Sequence, residues 1–332
     1  MNPRRVGTKY DRRFLVIFFV LSSLLAVYVV WTFSQSLDEE EPWTFAVVCD
    51  TRGGNEYADT GVNDVVIKAI ADAIVKDGCD LVLVPGDLIN GDSKTNNPSS
   101  EKQFENWKKA MSPVYNAGIK VYTVRGNHEI KSSEDLYIKA FGADNPDNGP
   151  RSEKDLTYSF THNNAFFVGI DEYADDRVHK VNQEWVDSQL NNNSQQHIFV
   201  FGHEPAFRVS HKDCLETYPE ERDEFWNSIG SAGCQVYFCG HDHFYNRACI
   251  QDDSGNKIYQ VVDGSGGAPF AKWNPSKGKK NSRFKLEYHN QVDYGYSLVT
   301  VDGNNVNIEW KAWNGSSDPV WVTKDTFQLE KE

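Results

Sequence analysis

The sequence predicts an α/β protein whose β-sheets are covered on both faces. Continuous apolar runs, which are typical of buried strands, alternate with amphipathic segments of helical period between residues 43 and 240. Nearer the C-terminus, apolar residues alternate with polar ones, as in antiparallel strands that have one solvated face. A chain of 332 residues that is 39% hydrophobic has enough apolar material to bury a large core.

The individual elements follow from local patterns. Ile67, Ile70 and Ile74 recur at helical spacing, and Gly78 follows them where a left-handed residue commonly ends a helix. The predicted elements are, in order, strand 44–49, helix 64–77, strand 81–85, helix 101–111, strand 120–124, a hairpin of strands 158–160 and 166–170, helix 183–190, strand 197–201, helix 219–229, strand 235–239, and an antiparallel meander of strands 258–262, 296–301 and 306–313.

The N-terminus is predicted to be a membrane anchor. Residues 14–33 contain no charged side chain, and twenty residues at about 1.5 Å each span the roughly 30 Å of a bilayer core. Five basic residues precede this segment and the acidic run 38–41 follows it, which orients the N-terminus toward the cytoplasm. A cleaved signal peptide is the alternative, although its apolar stretch usually has only about 7–15 residues. We expect a cytoplasmic basic tail at residues 1–13, a transmembrane signal anchor at 14–33, an acidic linker at 34–42 and one extracytoplasmic domain at 43–332.

The charge of the exported part argues against nucleic acid as a partner. The whole chain has a formal net charge of −14, to which the first 13 residues contribute +4, so the remainder carries −18. A body this acidic lacks the general basic surface that binds a phosphate backbone. The six cysteines are compatible with buried thiols or with one or two disulfides in an oxidising compartment.

Residues of types that commonly bind metals, namely Asp, Asn and His, follow the ends of five of the predicted strands. The carboxyl ends of strands in open α/β sheets are where ligands bind, and glycines beside them allow close approach of the backbone. The residues are Asp50 after strand 44–49, Asp87 after Gly86, Asn127 and His128 after Gly126, His203 after Gly202, and His241 and His243 after Gly240.

These side chains form a coherent donor set for two metal ions. One group offers oxygen and imidazole nitrogen from Asp87, Asn127, His203 and His241, while Asp50 and His243 add a second group. Two cations about 3.5–4 Å apart would clamp a phosphoryl group. His128 is left over and is predicted to donate a proton to the leaving oxygen. The other histidines are interpreted as ordinary polar residues, namely His162, His179, His197, His211 and His289.

Taken together, the motifs resemble the calcineurin-like metallophosphoesterase superfamily, whose pattern is D-x-H, GD, GNH[D/E], GH and GHxH. Val200-Phe201-Gly202-His203 also resembles the V-x-x-H motif of the purple acid phosphatase branch. The resemblance implies a four-layer α/β sandwich of two mixed β-sheets flanked by helices, and hydrolysis of phosphate esters at a two-metal centre. It further implies that Asp87 bridges the metals and that Glu129 is a neighbour of the proton donor His128.

Two positions depart from that pattern. Arg52 replaces the histidine of D-x-H, so one metal lacks a ligand, and Asn90 stands where the purple branch has tyrosine. A ferric tyrosinate is therefore not supported, and the cofactor is predicted to be one or two ions of Mn, Fe or Zn. A guanidinium has no free lone pair for a metal. Arg52 is therefore predicted to bind a phosphate oxygen as a catalytic residue, with a surface salt bridge as the alternative; Glu129 and Asn90 are predicted to support the ligands.

Three functions are compatible with this site. The favoured one is a membrane-anchored phosphomonoesterase that acts outside the cytoplasm on a phosphorylated small molecule or surface substrate. The second is a phosphodiesterase for a nucleotide, a lipid head group or a cell-wall linkage. The third is a pseudo-phosphatase that binds metal or phosphate without catalysis, which is suggested by Arg52 alone.

Overall fold

The computed structural model describes residues 41–92, 98–174, 177–274 and 282–329. The tail predicted at 1–13, the anchor predicted at 14–33 and nearly all of the linker predicted at 34–42 lie outside these ranges. Within the ranges, no helix has both the length and the apolar content needed to cross a bilayer. Residues 42–332 form a compact unit of their own.

Every predicted strand and helix is present near its predicted position, and the described ranges contain three further strands and two further α-helices. The strands are β1 (Trp43–Val47), β2 (Leu81–Val84), β3 (Lys120–Thr123), β4 (Tyr158–His162), β5 (Ala165–Gly169), β6 (His197–Phe201), β7 (Val236–Cys239), β8 (Tyr245–Gln251), β9 (Lys257–Asp263), β10 (Phe284–Asn290), β11 (Tyr294–Asp302), β12 (Asn305–Trp313) and β13 (Val322–Leu329). The helices are α1 (Asp64–Asp77), α2 (Ser100–Ala110), α3 (Ser112–Asn116), α4 (Glu134–Phe141), α5 (Gln183–Asn191) and α6 (Pro219–Ser231).

Both sheets are mixed. The six-stranded sheet has the order β13-β12-β11-β1-β2-β3, in which β1, β2 and β3 are parallel and β11, β12 and β13 are antiparallel. The seven-stranded sheet has the order β10-β8-β9-β7-β6-β5-β4, with a parallel centre from β9 to β5 and antiparallel strands at both edges. This confirms the predicted α/β sandwich of two mixed sheets with helices.

Three apolar clusters hold the layers together. Helices α1 to α4 pack on the outer face of the six-stranded sheet, where Trp107 contacts the cluster that contains Val82. Between the sheets, Phe45 of β1 packs edge-on against Phe199 of β6, with ring centroids 4.9 Å apart. Helices α5 and α6 cover the outer face of the seven-stranded sheet, with Trp226 fully buried there. Burial of each such aromatic side chain contributes about 1.5–3 kcal/mol.

The prediction of a three-stranded C-terminal meander is wrong. β11 and β12 do pair antiparallel across the turn after Asp302, but β9 lies in the other sheet, between β8 and β7. An alternating pattern specifies that a strand has one buried face, but it does not specify the sheet to which the strand belongs. The true third strand of the meander is β13, which pairs with β12.

The six cysteines are free thiols, five of them buried. The sequence was compatible with buried thiols or with one or two disulfides, and the structure has thiols. Cys49, the residue before Asp50, is fully buried, and its thiol donates to the carbonyl oxygen of Pro85 at 2.9 Å. Burial, with the charge of Asp50, raises the pKa of Cys49 well above its usual range, so this side chain stays protonated.

Candidate metal centre

Two glycines allow the loops after β2 and β3 to meet. A side-chain carbon added to Gly86 would lie 2.7 Å from the amide nitrogen of Gly126, and one added to Gly126 would overlap the Asp87 carboxylate. Gly86 also has a φ of 89°, which favours glycine. The GD and GNHE motifs therefore need their glycines because the two loops touch.

Three of the predicted ligands have a left-handed backbone without being glycine. The φ angles of Asp50, Asp87 and His241 are 56°, 52° and 69°. This conformation costs about 1–3 kcal/mol for an ordinary residue and is concentrated at functional sites. Hydrogen bonds from backbone amides hold these turns in place. The amide of Asp50 donates to Gly86 O at 3.2 Å, and the amide of His241 donates to the side-chain Oδ2 of Asp50 at 2.9 Å.

The first predicted ligand group is brought together at the ends of β2, β3, β6 and β7. Asn127 Oδ1 lies 3.1 Å from His203 Nε2 and 3.0 Å from His241 Nδ1. Asp87 Oδ1 lies 3.5 Å from the same His203 Nε2. Contacts of Asn127 and His203 therefore link all four side chains at the ends of these strands.

The second predicted group, Asp50 and His243, lies beside Asp87. Each of these three side chains offers a donor atom within 4.8 Å of the others. His243 Nε2 lies 3.5 Å from Asp50 Oδ1. The guanidinium of Arg52 is in direct contact with this group. Its Nη2 lies 3.2 Å from His243 Nε2 and its Nε lies 3.5 Å from Asp87 Oδ2. A fixed cation therefore borders the position of the second metal.

Backbone carbonyls fix the tautomers of three histidines. Nδ1 of His128, His203 and His243 donates to the carbonyl oxygen of Asn90, Pro85 and Pro269 at 2.8, 2.8 and 3.0 Å, respectively. Each Nε2 lone pair is thereby directed into the site, which is the usual arrangement around a metal-binding histidine.

The electrostatics of the site call for a cation. Burial lowers the pKa of His203 to about 4, so its Nε2 carries no proton at neutral pH. This nitrogen therefore has a free lone pair, and it lies beside the oxygens of Asp87 and Asn127. Burial and the charge of Asp87 raise the pKa of Asp50 to about 7, and Asp50 Oδ1 is buried without a hydrogen-bond partner. The unprotonated Nε2 of His203 and the unpartnered Oδ1 of Asp50 are suited to a metal ion, and the oxygen and nitrogen donors of the site suit Mn, Fe or Zn.

The pKa of His241 shifts the other way. Burial opposes its protonation, but the nearby carboxylates of Asp213 and Asp242 raise the pKa to about 9. The Asp213 carboxylate lies 3.6 Å from His241 Nε2. A metal ligand must be deprotonated, so metal binding here displaces a proton.

Glu129 and Asn90 both support the ligands, but in ways that differ from the expectation. Glu129 was expected to partner His128, whereas its buried carboxylate accepts hydrogen bonds from three backbone amides, those of Asp87, Gly126 and Ile89, at 2.9, 2.7 and 3.1 Å. Asn90 is the residue that holds the His128 ring, through its backbone carbonyl. Glu129 thus clamps the two glycine loops together.

His211, which was interpreted as an ordinary polar residue, lies at the edge of the site. Its ring centroid is 4.7 Å from that of His241 and 6.3 Å from that of His243. The buried Asp242 accepts from its Nδ1 at 2.6 Å. No strand end or glycine precedes His211 in the sequence, so the signal that identified the other histidines could not have found it.

A small pocket opens beside the ligands. It has a volume of about 160 Å³, and Arg52 and His128 both line it. Gly53, Gly54 and Pro269 also line it. Pockets for drug-sized ligands have about 300–1,000 Å³, so this one holds a small chemical group.

Comparison with known proteins agrees with this arrangement. The profile of the calcineurin-like phosphoesterase family matches residues 56–245, which is more than half of the chain. The matched range contains Asp87, Asn127, His203 and His241, and it begins after Asp50 and Arg52. No curated protein sequence matches the chain.

Solved structures share the fold. Purple acid phosphatase PPD1 from yellow lupin (Lupinus luteus) superposes with a TM-score of 0.63 at 17% identity over 87% of this chain and 54% of the lupin chain. This chain therefore spans about half of the length of that relative. PhoD has a TM-score of 0.60 at 17% identity, over 88% of this chain and 70% of its own. GAP50, the anchor in the inner membrane complex of Plasmodium, has a TM-score of 0.59 at 17% identity, over 88% of this chain and 89% of the GAP50 chain.

The family match, the shared fold and the converging ligands lead to the same conclusion. The chain belongs to the calcineurin-like phosphoesterase family, and two groups of its described residues could hold a metal ion.

Proposed function

We propose that the substrate is a phosphomonoester. The observation that carries this proposal is that Arg52 and His128 line the same small pocket beside the metal ligands. A phosphomonoester dianion carries one more negative charge than a diester, and a guanidinium fork favours that extra charge. The volume of about 160 Å³ leaves room for one ester substituent beside the phosphoryl group rather than two.

The residues of the chain divide the reaction between them. Metal ions held by Asp50, Asp87, Asn127, His203, His241 and His243 would supply positive charge for the phosphoryl oxygens and would lower the pKa of a water nucleophile. Arg52 orients the phosphate from the side of Asp50 and His243. As water attacks phosphorus, the bond from phosphorus to the ester oxygen breaks, and His128 gives that oxygen a proton.

His128 needs the substrate in order to hold that proton. Burial, together with the charge of Arg52, lowers the pKa of His128 to about 4 in the free protein, although Asp87 opposes the shift. A bound phosphate dianion raises the pKa of a neighbouring imidazole, because a nearby negative charge favours the protonated form. The hydrogen bond from Nδ1 to Asn90 O keeps Nε2 facing the pocket.

The experiment that tests this function is hydrolysis of matched monoesters and diesters by wild-type protein and by His128→Ala. We expect faster hydrolysis of the monoesters. We also expect His128→Ala to keep its metal and to lose about 10²–10⁴-fold in rate for an alkyl ester, with a smaller loss for an aryl ester that has a good leaving group.

His162→Ala is the control, since His162 contacts Trp43 at the start of β1, whereas Asp50 follows the end of that strand. An equal loss for good and poor leaving groups would assign His128 a positioning role. A preference for diesters would overturn the monoesterase proposal, and no hydrolysis of either class would favour the non-catalytic alternative.

We further propose that the catalytic unit lies outside the cytoplasm, held by the anchor at residues 14–33. The support is the apolar segment with basic residues before it and acidic residues after it. Protease added to intact cells should therefore digest residues 43–332. Protection in intact cells, followed by digestion after lysis, would contradict this topology.

A further inference from the structure

The ring of His241 is oriented differently from those of the other three histidines of the site. His128, His203 and His243 donate from Nδ1 to a backbone carbonyl, which leaves Nε2 for the site. In His241 the nitrogen beside the neighbouring ligand is Nδ1 instead, 3.0 Å from Asn127 Oδ1. The nitrogen that remains for a supporting hydrogen bond in His241 is therefore Nε2.

A carboxylate lies beside this nitrogen. His241 Nε2 is buried and has no hydrogen-bond partner among the described residues, and Asp213 Oδ1 lies 3.6 Å from it. A neutral imidazole that binds a metal through Nδ1 has its proton on Nε2, and a buried donor of this kind needs an acceptor. The side chain of Asp213 is 57% exposed, so packing does not prevent the small rotation that brings its oxygen to the usual distance of about 2.7–3.2 Å.

The segment that carries Asp213 is tied to the strand end that carries His241. Asp242, the residue after His241, is buried, and its carboxylate accepts from the backbone amides of Ser210 and His211 at 2.8 and 3.0 Å. It also accepts from His211 Nδ1 at 2.6 Å. These three hydrogen bonds hold the backbone two residues before Asp213, so the Asp213 carboxylate is presented to the His241 ring by a fixed loop.

We propose that Asp213 is a positioning residue for the metal site, which it supports by accepting a hydrogen bond from His241 Nε2. The carboxylate fixes the tautomer in which the Nδ1 lone pair is available to the ion, and it makes the ring a more basic ligand. Backbone carbonyls fix the tautomers of His203 and His243, but a carbonyl lacks the full charge that makes a carboxylate the stronger acceptor. The role concerns the affinity for the ion and is independent of the class of ester that is hydrolysed.

The test is titration of the metal-free full-length protein with Zn²⁺ in competition with a chromophoric chelator. We expect Asp213→Ala to weaken the tightest binding event by about 10- to 100-fold, which is the usual effect of removing the hydrogen-bond partner of a metal-binding histidine. Asp213→Asn keeps an acceptor oxygen without the charge, so its affinity should lie between those of Asp213→Ala and the wild type. Asp59→Asn is the matched control, because it removes an exposed negative charge close in sequence to the pocket residue Asn55 and should keep the wild-type affinity.

The dependence on salt separates a hydrogen bond to the ring from a general effect of charge. At about 1 M salt the Debye length is about 3 Å, so the attraction between an exposed carboxylate and a more distant ion is screened, whereas a hydrogen bond to His241 persists. We therefore expect the loss of affinity in Asp213→Ala to remain at high salt.

Three results would overturn the inference: a loss that disappears at high salt, an equal loss in Asp59→Asn, or the same zinc affinity in the wild type, Asp213→Asn and Asp213→Ala. Circular dichroism establishes that each variant is folded. Because the readout is binding, failure to hydrolyse any phosphomonoester would overturn the proposed function and leave the role of Asp213 standing.

Discussion

Asp87→Asn is expected to remove the bound metal and the phosphoesterase activity together. Asp87 is only 1% exposed, and it is the carboxylate that both ligand groups share, with Oδ1 3.5 Å from His203 Nε2 and Oδ2 3.5 Å from Arg52 Nε. An amide has no negative charge and turns an NH₂ donor toward one of these partners. Since metals supply several kcal/mol of charge stabilisation, we expect a loss of activity of about 10³-fold or more.

Metal content by mass spectrometry and initial hydrolysis rates, measured on the same preparation, check this expectation. Asp72→Asn is a suitable control, because Asp72 is an exposed acid on α1 that pairs with Lys68. Circular dichroism establishes that the variant is folded. Retention of both metal and rate by folded Asp87→Asn would refute the shared-ligand role.

Arg52→Ala is expected to raise KM and lower kcat without reducing the tightly bound metal. Arg52 does not contact the ligands predicted for the tight metal, Asn127, His203 and His241. Its guanidinium instead contacts the other predicted group, through His243 Nε2 at 3.2 Å. Loss of a charge-assisted pair to phosphate costs about 1.5–3 kcal/mol, or about 10- to 150-fold in kcat/KM.

Arg52→His provides the complementary result. A neutral imidazole at this position has the lone pair that guanidinium lacks, so metal titration should reveal a second binding event in this variant. Arg151→Ala is the control, since Arg151 is exposed. Wild-type values of KM and kcat in Arg52→Ala would contradict the phosphate-binding role assigned to Arg52.

The sequence was a good guide wherever position along the chain decides the geometry. Neighbouring parallel strands deliver their carboxyl ends to one edge of a sheet, so Asp50 and Asp87 could be placed together from the ends of β1 and β2 alone. Helix α1 has the limits that the sequence predicts. The helical spacing of its apolar residues indicates its extent, and Gly78, which has a left-handed φ of 72°, ends it.

Features that depend on contacts between distant segments could not be predicted in this way. The sheet to which β9 belongs, the three amides that Glu129 binds and the position of His211 beside His241 are all set by tertiary packing. The edge strand β13 was missed because most of its exposed residues are charged or polar, and Phe327 and Leu329 are its only buried apolar residues.

The metal-to-protein ratio of the purified wild-type chain, after dialysis against metal-free buffer, tests most directly the claim that a guanidinium stands in for the second metal. With Arg52 Nε 3.5 Å from Asp87 Oδ2 and Nη2 3.2 Å from His243 Nε2, the second position already has a positive charge beside it. We therefore expect the chain to retain about one ion rather than the pair of a two-metal site. Two ions retained with equal affinity would contradict the claim.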